Sequence, residues 1–183
     1  IAVVAFTLIA VDGTLMAQAK WKPTHPITVV VPWPAGGASD TVGRMLAGEM
    51  EKNVGQRMVI VNTAGGSGAI GTQEVWDKPH DGYTLTANAV ASVVSYAVLG
   101  KMTQTHRNWI YYLPIFTPNV IVVKGDSPIK TLADLMAYMK SKPNGTILAS
   151  AGVGSSGYYA AELFKKATGL TYRHVPYAGG APA

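Results

Sequence analysis

The chain has 183 residues, 48% of them apolar and 14% charged, with 15 Lys and Arg against 10 Asp and Glu for a net charge of +5. That length suits one or two domains, and the apolar share supplies a core and excludes an intrinsically disordered chain; the basic excess suits an anionic ligand or partner and serves equally as a solvated surface. There is no cysteine, which excludes disulfides, thiolate catalysis and zinc–thiolate sites.

Residues 1–11, IAVVAFTLIAV, form an unbroken apolar run, shorter than the roughly 20 residues that span a bilayer. Ala17-Gln18-Ala19 follows as an A-x-A cleavage pattern. Residues 1–19 therefore read as part of a secretory signal peptide, with a buried first strand as the alternative. PITVVVPWP (26–34) is too continuously apolar for a half-exposed strand and predicts a buried parallel one. A helix is expected over 39–54, with Val42, Met45, Leu46, Met50 and Val54 on one face and Gly55 as its stop.

RMVIVN (57–62) predicts a second strand, TAGGSGAIG (63–71) a glycine loop, and 71–77 a short helix. HDGYTLTAN (80–88) predicts a turn at Asp81-Gly82 followed by a third strand. VASVVSYAVLG is compatible with a helix ending at Gly100, and a strand is expected at 119–123. Next comes a helix opened by the Thr131–Asp134 capping pair, with Leu132, Leu135, Met136 and Met139 on one face. TILASAGVGSSG predicts strand and glycine loop, YYAAELFKKATG a helix stopped by Gly169, and TYRHVPYAGG a last strand. The order predicts an α/β architecture with parallel pairing. The strand–loop–helix unit at 27–53 recurs in kind at 146–168, and a domain crossing is expected near 124–128.

Two segments carry the chemistry. A helix start leaves unpaired N–H groups and a partial positive charge, and a preceding glycine loop lets an anion approach them. PAGGASD (34–40) and SAGVGSSG (150–157) both supply this, with Ser39 or Asp40 capping the first helix and Ser155 or Ser156 the second. Facing each other, the two ends would clasp an anion with two poles; glycine that merely permits a tight turn is the plainer alternative.

PAGGASDT lacks the Lys-Ser/Thr of a triphosphate loop. Gly152, Gly154 and Gly157 match G-x-G-x-x-G, which keeps a nucleotide-dependent oxidoreductase as the alternative function. The acidic residue of that fingerprint is missing, however, and only Arg173 offers a partner for a 2′-phosphate. The four histidines, 25, 80, 106 and 174, are dispersed without ligand spacing, so surface or capping roles are expected and no metal site.

Taken together, PITVVVPWPAGGASDTVGRML, VNTAGGSGAIG, DGYTL, TPNVIVV, SPIKTLADLMAYMKSKP, ASAGVGSSG and HVPYAGGAPA, in this order and spacing from about residue 23 onward, resemble the substrate-binding receptors of tripartite tricarboxylate transporter systems, the Bug-type extracytoplasmic solute receptors. The resemblance implies an α/β fold of the periplasmic binding-protein type (type II), two α/β domains (20–123 and 124–183) around a ligand cleft, both incomplete in this chain. It implies a periplasmic, non-enzymatic receptor that takes a small organic carboxylate to membrane transporter components. No cofactor and no nucleic acid are implied, and a monomer at full length.

Carried over by motif, the first-domain contacts would be Pro34, Ala35, Gly36, Gly37, Ser39 and Asp40, with Ser92 after the third strand. The second-domain contacts would be Ala151, Gly152, Gly154, Ser155, Ser156 and Tyr177. Three departures from the family pattern stand out. Trp33 sits where Phe is common, Gly157-Tyr158 where a polar residue and His often follow, and the 63–68 loop lacks a usual proline. Family members continue past the HVPYAGG turn, so a fragment cut at both ends is expected, with residues 20–183 alone binding ligand weakly or not at all and tending to aggregate.

Overall fold

A computed structural model describes residues 21–115 and 118–183. The expected signal segment lies outside the described residues. In chain order the elements are β1 (Ile27–Val31), α1 (Ala38–Val54), β2 (Met58–Asn62), α2 (Ala69–Trp76), β3 (Thr84–Thr86), α3 (Val90–Val98), α4 (Leu132–Ser141), β4 (Ile147–Ser150), α5 (Ser156–Thr168) and β5 (Arg173–Pro176), with short 3-10 turns at Gly66–Gly68 and His106–Asn108. No helix among the described residues is long and apolar enough to cross a membrane.

The strands form two parallel sheets, one of order β2-β1-β3 and one pairing β4 with β5. β1 is central because it is apolar on both faces. Ile27 and Val29 are buried in a core with Ala47 of α1 and Met58 of β2, while Val30 and Val31 are buried as well. Each such side chain contributes roughly 1.5–3 kcal/mol when fully buried. The register sets Val29 opposite both Ile60 and Leu85. A second cluster, Ala69, Val93, Tyr96 and Met102 with Trp109 against it, joins α2 to α3. Parallel strands need crossovers, and α1, α2 and α5 supply them.

Three expectations are corrected. The 119–123 segment is not a strand: it has no ladder partner among the described residues, and Val122 is 81% exposed. An apolar β-branched run becomes a strand only where a neighbour offers N–H and C=O groups. On α1 the buried residues are Asp40, Gly43 and Ala47, while Met45 is 69% exposed. Small residues face the sheet because the helix lies against it, with Ala87 and Val31 both 3.4 Å from where a Gly43 Cβ would stand. On α4 only Met139 is buried, and Leu132 points outward. The Thr131 capping box, in contrast, is formed in both directions.

Candidate functional site

The glycine loop after β1 is held by Asp40. Its Oδ2 accepts the Gly36 N–H at 2.9 Å and Arg44 Nε at 3.1 Å. Its Oδ1 accepts Asn62 Nδ2 at 2.9 Å, and the same Asn62 nitrogen donates to the Trp33 carbonyl at 3.0 Å. Asp40 is 4% exposed, and these hydrogen bonds, Arg44 first, then Gly36 and Asn62, hold its carboxyl at about 2 against the cost of burial. Neither serine nor aspartate caps α1 in the expected way: Gly37 is the N-cap and no side chain bonds the first turn. Asp40 is thus tied to the Gly36 N–H of the loop and to the Arg44 and Asn62 side chains.

On α5 the expectation holds, with Ser155 as N-cap accepting from the Tyr158 N–H at 3.2 Å. Beneath the loops runs a polar chain that sequence reading missed. Trp33 Nε1 donates to Asn88 Oδ1 at 2.9 Å, and Asn88 Nδ2 donates to Thr72 Oγ1 at 2.8 Å and to Tyr96 OH at 3.2 Å. Tyr96 OH in turn donates to the Ser67 carbonyl at 3.0 Å, and burial pushes its pKa up. This network ties the loops after β1, β2 and β3 to one another.

A cavity of about 890 Å³ opens where these loops meet the β4 loop. Its lining includes Gly37, Ala38 and Ser39 from the start of α1, Ala89 and Ser92 from the start of α3, and Ala151, Ser155 and Ser156 from the start of α5. Trp33, Asn119 and Ser150 join them, and an apolar wall runs through Val120, Ile129, Met139, Leu148 and Phe164. No charged side chain is among the lining residues. Ser92 is fully buried, and its Oγ has no hydrogen-bond partner among the described residues.

Of the residues anticipated as contacts, the structure brings Gly37, Ser39, Ser92, Ala151, Ser155 and Ser156 to the cavity. Pro34, Ala35, Gly36, Asp40, Gly152, Gly154 and Tyr177 do not line it. Tyr177 instead uses its N–H on the Ser150 carbonyl at 2.9 Å, and its own carbonyl lies 3.0 Å from where a Gly152 Cβ would stand. Gly152 and Gly154 have φ of +110° and +93°, and an added Cβ would meet Ser67 Oγ at 2.5 Å in one case and Leu99 Cδ1 at 2.7 Å in the other. Close packing of two loops therefore accounts for these glycines without a dinucleotide. His174, expected at the surface or in a cap, instead shares a 2.7 Å hydrogen bond with cavity-lining Ser150. That pairing was invisible in sequence because β5 brings it into register with β4 only after α5 has crossed over.

The parallel sheets, their crossover helices and the cavity at the strand ends make up an α/β fold shared with periplasmic binding proteins. The solved structure of the periplasmic binding protein BugD superposes with a TM-score of 0.70 at 28% identity, over 87% of this chain and 54% of that one. MatC of Rhodopseudomonas palustris with bound malate gives 0.71 at 28% identity, covering 87% and 55%. An R. palustris protein with adipate gives 0.69 at 32%, with the same coverage. The profile of the tripartite tricarboxylate transporter family receptor matches residues 42–183, and the chain belongs to that family. Among curated relatives, the UPF0065 protein from the tcbD–tcbE intergenic region of Pseudomonas sp. (strain P51) is 35% identical over 163 residues, 88% of this chain and 48% of the relative. The chain thus spans about half the length of the curated relatives it matches.

Proposed function

We propose that the protein is a periplasmic solute receptor that captures a small organic carboxylate and delivers it to the membrane components of a tripartite tricarboxylate-type transporter. One observation carries this reading: the first turns of three helices, α1, α3 and α5, line a single cavity that contains hydroxyls but no charged side chain. Such a site compensates an anion through backbone N–H groups and helix ends. Specificity then comes from shape and from donors that are costly to leave unpaired, the lone Ser92 hydroxyl foremost. The structural neighbours with malate and adipate support a carboxylate as the ligand class.

In this reading Gly37, Ser39, Ser92, Ala151, Ser155 and Ser156 touch the ligand, while Pro34, Ala35, Gly36, Asp40, Gly152, Gly154 and Tyr177 shape the loops around it. The two sheets support a division into lobes at 20–123 and 124–183. Residues 1–19 act as an export signal, the full-length receptor is a monomer, and the ligand leaves unchanged, without catalysis. Isothermal titration calorimetry of the protein expressed at the full length of its gene, against malate, adipate, citrate, benzoate and NAD, tests this. The expected result is one-site binding of at least one carboxylate with a Kd on the order of micromolar, and no heat with NAD. Saturable NAD binding without any carboxylate binding would overturn it.

A further inference from the structure

The loop at 151–154, which leads into α5, is gripped by side chains that do not line the cavity. Lys101, just past α3, donates from Nζ to the carbonyls of Gly66 and Val153, each at 3.0 Å. Ser95 Oγ on α3 lies 2.8 Å from the Ser92 carbonyl and 3.1 Å from the Gly154 carbonyl. The bonds to Val153 and Gly154 join residues 52 and 59 positions apart. Gly154 fits against Leu99 and Ser95, and Gly152 against Ser67, with no space for a Cβ. The next residue, Ser155, is the α5 N-cap and a lining residue of the cavity.

A lysine suits this place. Its ammonium presents three donors and no acceptor, so it bridges two carbonyls from separate loops through charge-assisted hydrogen bonds. Burial lowers the pKa of Lys101, consistent with an ammonium drawn partly out of water by the two loops. The bridge crosses from the β2 loop and the end of α3 to the β4 loop.

We infer that Lys101 and Ser95 are positioning residues that clasp the Val153–Gly154 backbone and hold the two sides of the cavity at the separation needed for one ligand to touch both. The inference rests on the cavity being the ligand cleft, but its test needs no ligand, so it fails or stands apart from the calorimetry. Nitroxide labels on T41C and K166C, two exposed positions on α1 and α5, report the separation in the full-length protein once any cysteine outside these 183 residues, which have none themselves, is changed to serine. Pulsed electron resonance is expected to give one narrow distance, which K101M and S95A shift or broaden and K101R restores. Amide exchange at 153–156 is expected to rise about fivefold or more in K101M while β1 amides stay protected. K101M retains the aliphatic stem, so its packing is preserved. An unchanged distance and exchange rate in K101M overturns the clasp, and so does an equal rise at β1, which marks a general loss of stability.

Discussion

Asp40, a residue of the first glycine motif, anchors the loop that precedes it. Its carboxylate is surrounded by donors from Gly36, Arg44 and Asn62, and its pKa is depressed from the ordinary 3.8 to about 2. A depressed carboxyl stabilises the fold above its unfolded pKa and loses that contribution as pH falls through the folded value. Asp40 is thus expected to supply about 2 kcal/mol near neutrality, lost between about pH 4 and pH 2. Asp40→Asn should lower stability at pH 7 by a similar amount and flatten the acid limb of a plot of urea midpoint against pH. Parallel limbs for the two proteins would show that Asp40 holds nothing. The motif made the residue visible, but its role depended on Asn62, which β2 delivers from 22 positions away.

Elements were the most legible scale, because caps and periodicity act within a few residues. The Thr131 capping box, the Ser155 cap, the Gly55 and Gly169 stops and the Asp81-Gly82 turn all stand where the local pattern placed them. Ser155→Ala removes an N-cap and should cost about 1 kcal/mol of stability. Because Ser155 also lines the cavity, the same change should weaken carboxylate binding about tenfold, equivalent to about 1.4 kcal/mol. Ser155→Thr should recover most of the stability. Calorimetry beside urea denaturation separates the two effects, and a loss of stability with unchanged affinity would remove Ser155 from the site. Helix faces were less legible. Met45 and Leu132 fit an apolar stripe, yet Gly43 and Ala47 are what α1 buries, since close helix–sheet approach selects small side chains over large ones.

For the molecule as a whole, the apolar segment at 120–123 is the main liability. Val120 and Val122 are 73% and 81% exposed, and the β4-β5 sheet has no further strand on either edge among the described residues. Exposed apolar runs and free strand edges invite pairing with other chains. The 183-residue chain is therefore expected to self-associate at concentrations on the order of micromolar, and the double substitution V120K/V122K to reduce it. Sedimentation velocity measures this, and a monomer insensitive to the substitution would contradict it.

The α/β order, the helix ends and the two glycine loops were determined by the sequence itself, because hydrophobic period, capping and turn chemistry are written in neighbouring residues. The ordered motifs also carried the family. Only the tertiary structure showed which loop residues line the cavity, and that Asp40 is held by hydrogen bonds while Gly152 and Gly154 pack closely against Ser67 and Leu99. It alone revealed the Lys101 and Ser95 contacts and the Ser150–His174 pair, because hydrogen bonds between residues 24 to 59 positions apart exist only once the sheets have set their register.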